Sequence, residues 1–428
     1  MQVVVVGGGP IGLAAAAHLL DRGLEPLVLE AGPVAGAAVA EWHHVRLFSP
    51  WSELVDPAAA KLLNGWQRPD PEVYPTGQEW AELYLQPLAK ALGDRVRVNS
   101  PVTGVTRRGR DRVVDAGRDS EPLTVHVGDE RITACAVIDA SGTWSAPNPL
   151  GGDGLPAVGE RAAADRIVYR VPDLTDPQVR ARYAGKRIAV AGAGHSALTA
   201  LVALGQLAEQ EPDTRIVWLL RRGAVGNVFG GGDADQLPAR GALGQMARAH
   251  ARAGYVETVT GFRTSEVEQA ADGLILISQD GHRLDAVDEV VVLTGFRPDL
   301  SWLSELRLEL DATLQAPVAL APLIDPNVHS CGTVYPHGVK ELSHPEPNFY
   351  LVGMKSYGRA PTFLAMTGFE QVRSVVAAIA GDRAAAERVE LTLPETGVCG
   401  GSGVFDQQAD SSGGCCGVGP QPVTLAIG

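Results

Sequence analysis

The sequence predicts an α/β fold: two Rossmann-like three-layer domains, the second inserted into the first, and then a flexible, cysteine-bearing C-terminal tail. Three observations predict it. Two glycine-rich turns, Gly7-Gly8-Gly9-Pro10-Ile11-Gly12 and Gly192-Ala193-Gly194-His195-Ser196-Ala197, lie about half a chain apart, each behind a short apolar strand. Each opens a stretch of helical composition, the order that a dinucleotide-binding βαβ unit requires. Two further apolar runs, beginning at Ala136 and Val290, end in small-residue turns at Gly142 and Gly295.

In the first unit, Val3 to Val6 is an unbroken β-branched run suited to a parallel strand buried on both faces, and Leu13 to Leu20 has helical composition. Gly7 permits the tight turn, Gly9 lets backbone N–H groups approach a pyrophosphate, and Gly12 allows close helix packing. The helix N-terminus then favours the negative charge. A second strand, Pro26 to Leu29, runs into Glu30, where a ribose hydroxyl needs an acceptor.

The second unit repeats the plan with another ending. Strand Arg187 to Ala191 leads into Gly192 and Gly194, a helix begins at His195 and Ser196 and runs to about Glu209, and the next strand starts at Ile216. That strand ends in Arg221-Arg222 instead of an acid. Guanidinium groups bind a 2′-phosphate bidentately, so the pair predicts NADPH over NADH; a solvated basic loop is the alternative. At the end of the Ala136 run, Ser141 and Gly142 let the backbone pass close to a bound cofactor.

Together these units resemble the two-dinucleotide-domain FAD/NAD(P)H flavoproteins: flavin-containing monooxygenases, thioredoxin reductases and the bacillithiol disulfide reductase type. The resemblance covers roughly residues 1–382. In that family a strand and an A-T-G turn close each nucleotide domain, and Ala140-Ser141-Gly142 and Leu293-Thr294-Gly295 match it. Asn348 to Gly353 and a helix around Thr367 to Ala380 resemble the last FAD element, which adds Gly353 to the cofactor residues. The resemblance implies FAD in the first unit, NADPH in the second and hydride transfer between them. It also implies an FAD domain built from residues 1–155 and 313–385, an NAD(P)H domain at 180–312, and a tail at 391–428.

Two departures bear on the reaction. No C-x-x-C occurs in the chain, which disfavours the dithiol relay of thioredoxin reductases. The phenylalanine-glycine-histidine signature of the monooxygenases is replaced by Ile167 to Asp173, which keeps a tyrosine and a proline, while Trp144 to Pro149 resembles that branch.

Several segments carry candidate chemistry. His329 to His344 gathers three histidines and Cys331, the candidate catalytic residue; it reads as a metal site, a structural cluster or a substrate pocket. In the tail, Cys399 and the adjacent Cys415-Cys416 are candidate ligands for a thiophilic metal or metalloid. Their vicinal pair resembles that of mercuric reductase. The long connection from Glu41 to Tyr74, with Trp42, His43, His44, Trp51 and Trp66, is either a pocket wall or packing against the first domain. Arg95 to Val127 reads as a small antiparallel sheet.

Three readings of function follow. The first is an NADPH-dependent FAD monooxygenase that uses O2 on a small soft nucleophile or a metalloid such as a trivalent arsenical. The second is a flavin-dependent reductase of a disulfide or a thiol-bound metal(loid), working through Cys331 and the tail thiols. The third is a non-enzymatic redox sensor or thiophilic-ion binder. Composition narrows the partners: at 428 residues the net charge is −14 with no basic block, which argues against nucleic acid. No unbroken run of apolar residues is long enough for a membrane span, and the apolar N-terminus lacks a basic n-region, so the expectation is a cytoplasmic protein without structural disulfides, with a homodimer as the candidate assembly.

Overall fold

The computed structural model describes residues 2–225, 228–232, 235, 237–328, 335–361 and 363–391. Strand β1 (Gln2–Val6) forms on the valine run, helix α1 (Pro10–Asp21) follows the glycine turn, and β2 (Glu25–Leu29) and β3 (Val96–Arg97) extend the sheet to one side. Strands β4 (Val102–Arg107), β5 (Leu123–Val127) and β6 (Glu130–Ala134) make the expected antiparallel layer before β7 (Ala136–Asp139) returns to the far side of β1. The period-2 alternation of a strand explains the three layers. Val3 and Val5 enter a core shared with α1, whereas Val4 and Val6 enter one shared with β4 and β5.

The second unit repeats this division. Its strands are β8 (Ile167–Val168), β9 (Arg187–Ala191), β10 (Arg215–Leu219), β11 (Val256–Val259), the hairpin β12 (Thr264–Ala270) and β13 (Gly273–Ser278), and β14 (Glu289–Val292). The parallel order is β11-β10-β9-β14-β8. Ile188 and Val190 of β9 pack with helix α2 (His195–Gln210), which lies against α3 (Pro238–Arg252), while Ala189 and Ala191 pack toward the hairpin. Strand β8 lies ahead of residue 180, because Ile167 is buried where its backbone pairs with β14. Neither β8 nor the hairpin has a sequence signal as strong as the valine runs.

Beyond this unit the chain returns to the first sheet. Strand β15 (Phe349–Leu351) pairs with β7, completing the order β15-β7-β1-β2-β3, and helix α4 (Ala365–Ile379) packs on α1. In each sheet the connections leave the central strand in opposite directions, so the crevice at the carboxyl ends of β1 and β7, and of β9 and β14, is a topological switch point where doubly wound sheets bind ligands. Among the described residues no helix is long and apolar enough to cross a membrane.

Candidate dinucleotide sites

The first switch point is built from close backbone approaches. Gly7 has φ +100°, and a Cβ there would lie 2.7 Å from the Ala140 carbonyl oxygen; a Cβ on Gly12 would lie 1.9 Å from that of Gly7. Gly9, the N-cap of α1, has open space where its Cβ would be. Two glycines therefore close the turn, and the third leaves room for a ligand at a helix N-terminus, the arrangement that receives a pyrophosphate.

Glu30 stands just beyond β2, and its carboxylate accepts from the backbone N–H of Gly8 (2.6 Å) and of Gly32 (2.8 Å). Each oxygen retains a further lone pair for a ribose hydroxyl. Across the crevice, Ser141 donates from its N–H (3.0 Å) and its hydroxyl (2.6 Å) to Asp139 Oδ1, and Gly142 follows at φ +69°.

Lys355 completes this wall. Its Nζ lies 2.8 Å from Asp139 Oδ2, donates to Ser141 Oγ at 3.0 Å and sits 4.3 Å from the Trp302 ring centre. Both charged side chains are buried, so each depends on the other for compensation. Gly353, at φ +68°, donates its N–H to Gln371 Oε1 (2.7 Å), and Gln371 Nε2 reaches Ser356 Oγ and His337 Nε2, both at 2.9 Å. His337 Nδ1 lies 3.0 Å from the Tyr335 carbonyl, so the network is consistent with a neutral Nδ1–H imidazole, and burial lowers its pKa accordingly.

The second switch point repeats the backbone and changes the side chains. Gly192, at φ +135°, would place a Cβ 2.2 Å from the Leu293 carbonyl oxygen, and Gly194, the N-cap of α2, again faces open space. His195 and Ser196 form the first turn of α2. The His195 ring lies 5.1 Å from that of Phe48 in the long connection, and burial, then Arg240, push its pKa down to about 4. Beyond β10 stand Arg221 and Arg222. Desolvation first, then the charges of Arg222 and Arg263, hold the Arg221 guanidinium below its ordinary value, which identifies a cluster of three positive groups at this end of the sheet.

Sequence reasoning missed Arg263, which follows the β11 loop with no motif around it, and the buried Lys355–Asp139 pair. The long connection packs against the first domain and also touches the second. Trp51 is buried in the first core and Trp42 and Trp66 pack against it, while Phe48 reaches the second unit. His337 and His344 do not converge: His337 meets Gln371, whereas the Nδ1 of His344 faces the Glu309 N–H at 3.4 Å. Cys331, Cys399, Cys415 and Cys416 lie outside the described residues. Among the described residues, the one group of three potential metal ligands is His43, His44 and Asp173.

Two glycine cradles of this form on two switch points in one chain define a flavoprotein class in which two dinucleotides meet. The chain belongs to the pyridine nucleotide-disulphide oxidoreductase family, whose model matches residues 4–321. It is a flavin-dependent oxidoreductase with FAD and NAD(P)H as cofactors. Solved structures share its fold. Bacillithiol disulfide reductase from Bacillus cereus is 19% identical with a TM-score of 0.63, covering 89% of this chain and 99% of its own. Thioredoxin reductase from T. acidophilum is 16% identical with a TM-score of 0.56, covering 89% and 97%. A flavin-containing monooxygenase from Stenotrophomonas maltophilia is 24% identical with a TM-score of 0.55, covering 89% and 98%. The comparison with curated proteins found no match.

Proposed function

We propose that the chain is an NADPH-consuming FAD monooxygenase that oxygenates a small soft nucleophile or a metalloid, such as a trivalent arsenical. The observation that carries this reading is the cysteine pattern: positions 135, 331, 399, 415 and 416 contain no C-x-x-C. A chain without that dithiol has no relay of the thioredoxin reductase kind, so electrons leave the flavin for an acceptor that diffuses in. Gly7, Gly9, Gly12, Glu30, Ser141, Gly142 and Gly353 hold FAD, with Lys355 and Asp139 fixing the Ser141 turn. Gly192, Gly194, His195 and Ser196 hold the NADPH pyrophosphate, and Arg221, Arg222 and Arg263 hold its 2′-phosphate. These residues would hold an FAD able to accept hydride from NADPH and supply electrons to O2, with the balance of one NADPH, one proton, one O2 and one substrate to NADP⁺, water and the oxygenated product.

The adjacent Cys415-Cys416 pair favours a second reading, in which tail thiols and Cys331 relay electrons to a disulfide or a thiol-bound metal(loid). One experiment separates the two. With a trivalent arsenical in air, the monooxygenase reading expects oxygen uptake, NADPH loss and pentavalent product in equal amounts, and no turnover without oxygen. Turnover that continues under nitrogen and stops on Cys331→Ser or Cys415→Ser/Cys416→Ser would establish the reductase instead.

A further inference from the structure

We propose that His43, His44 and Asp173 form a binding site for a borderline divalent cation of the Zn2+ type, which fastens the first nucleotide unit to the second. One ligand atom from each of the three residues lies within 4.8 Å of the other two. Their types, two imidazoles and one carboxylate, suit such a cation far better than Mg2+ or Ca2+, which prefer oxygen.

The hydrogen bonds around the cluster select a metal. His43 Nδ1 lies 3.2 Å from the Ala40 carbonyl, so its proton belongs there and Nε2 presents a lone pair. That Nε2 lies 3.1 Å from Asp173 Oδ2, an arrangement that needs either a second proton or a cation between the two atoms. Both ring nitrogens of His44 are shut off from water, and the Val171 backbone carbonyl acts on one of them at most, so at least one nitrogen is buried without a partner. A proton shared by His43 and Asp173 leaves the remaining His44 nitrogen unaccounted for; a metal ion gives it a partner, with the Val171 carbonyl holding the opposite N–H as an outer contact.

The carboxylate is already oriented for this role. Asp173 Oδ1 accepts from the Thr175 N–H (3.0 Å) and hydroxyl (2.6 Å), leaving Oδ2 as the single donor, as outer contacts do for metal ligands. Bonds of about 2.1 Å to a tetrahedral ion bring ligand atoms to about 3.4 Å from one another, so the cluster needs only a modest contraction. The neighbouring cations are turned away: Arg170, three residues before Asp173, has its guanidinium 3.9 Å from the Trp144 ring centre, and Arg46, two residues after His44, donates to the Tyr74 carbonyl.

Position gives the site its consequence. Trp42, beside the histidines, packs on the first core, whereas Val171 and Leu174, on either side of Asp173, pack on the second. A bound cation therefore ties the long connection of one unit to the entry segment of the other, next to the link through which they are joined.

The test uses the full chain with Cys331, Cys399, Cys415 and Cys416 replaced by serine, so that thiols do not compete, titrated with Zn2+ by calorimetry. One ion per chain is expected, with affinity at least about 100-fold weaker in each of His43→Ala, His44→Gln and Asp173→Asn. Zn2+ should also slow amide exchange in residues 41–48 and 169–176 together, and fail to do so in the variants. His43 is exposed at 47%, so its alanine variant keeps the fold even where the other two do not. Absence of stoichiometric binding, or binding that survives His43→Ala unchanged, overturns the proposal.

Discussion

At the first glycine turn the following strand is succeeded by an acid, Glu30, held by the N–H groups of Gly8 and Gly32; at the second it is succeeded by Arg221 and Arg222, with Arg263 close enough to act on Arg221. The backbone of the two turns is the same down to the carbonyl that blocks a Cβ, Ala140 in one and Leu293 in the other. A pyrophosphate is common to both dinucleotides, and backbone recognises it; the ribose ends differ, and side chains one strand over read that difference. The walls differ too. Behind the first turn stands the buried Lys355–Asp139 pair, while the corresponding Thr294 donates only to the carbonyls of Asn148 and Pro149, at 3.2 Å each.

The sharpest way to break this comparison is to block each turn separately. Gly12→Ala drives a methyl into the Gly7 carbonyl and should abolish FAD retention, leaving little soluble protein. Gly192→Ala meets both the Leu293 carbonyl and a left-handed φ, yet lies in the other unit, so the protein should purify yellow while NADPH reduces its flavin at least about 100-fold more slowly, a loss of about 3 kcal/mol. Visible absorbance and stopped-flow reduction decide this. Equal flavin loss in both variants would mean that the two units do not bind independently.

Lys355→Met tests the wall. It strands Asp139 in the interior, and breaking a buried pair from one side costs about 3–5 kcal/mol. Urea unfolding should show that loss, against about 1 kcal/mol for Thr294→Val at the matching turn, where only neutral hydrogen bonds go. Similar losses at both positions would erase the distinction.

The side-chain difference is tested by Arg221→Ala/Arg222→Ala. Losing charge-assisted contacts worth about 1.5–3 kcal/mol should raise the KM for NADPH about 10- to 100-fold and leave that for NADH within a factor of about two. Arg263→Ala should follow with a smaller effect of the same selectivity. Parallel changes for the two nucleotides would reduce the cluster to a solvated basic loop.

What the sequence made legible follows the same line between backbone and side chain. The turns at Gly7 and Gly192 and strands such as Val3 to Val6 are local: composition and spacing over a dozen residues encode them, and the family match and the sheets agree. Arg221 and Arg222 could be singled out as candidates because they follow a strand of a recognised unit. Arg263 was not, and Lys355 could be read only as a polar group before the last helix that could address the flavin or a substrate anion; its pairing with Asp139, far away in the chain, was not legible. The same applies to Asp173, whose neighbours His43 and His44 come from the other unit. Strand β8 escaped because a two-residue strand has no period to detect.

The smallest expected effect concerns pH, and it too has one member in each unit. Burial pushes His344 in the first unit and His195 in the second down to about 4. Each imidazole is then neutral in the folded chain at a pH where the unfolded chain, with the ordinary value near 6.5, binds a proton. The unfolded state takes up more protons as pH falls from 6.5 toward 4, so stability present above 6.5 is lost through that window. At pH 5 each group should have removed about 2 kcal/mol. His344→Leu and His195→Asn should each reduce the drop in thermal midpoint between pH 7.5 and pH 5. A variant at either position whose acid profile matches the parent would mean that the buried imidazole there does not set the acid limit of its unit.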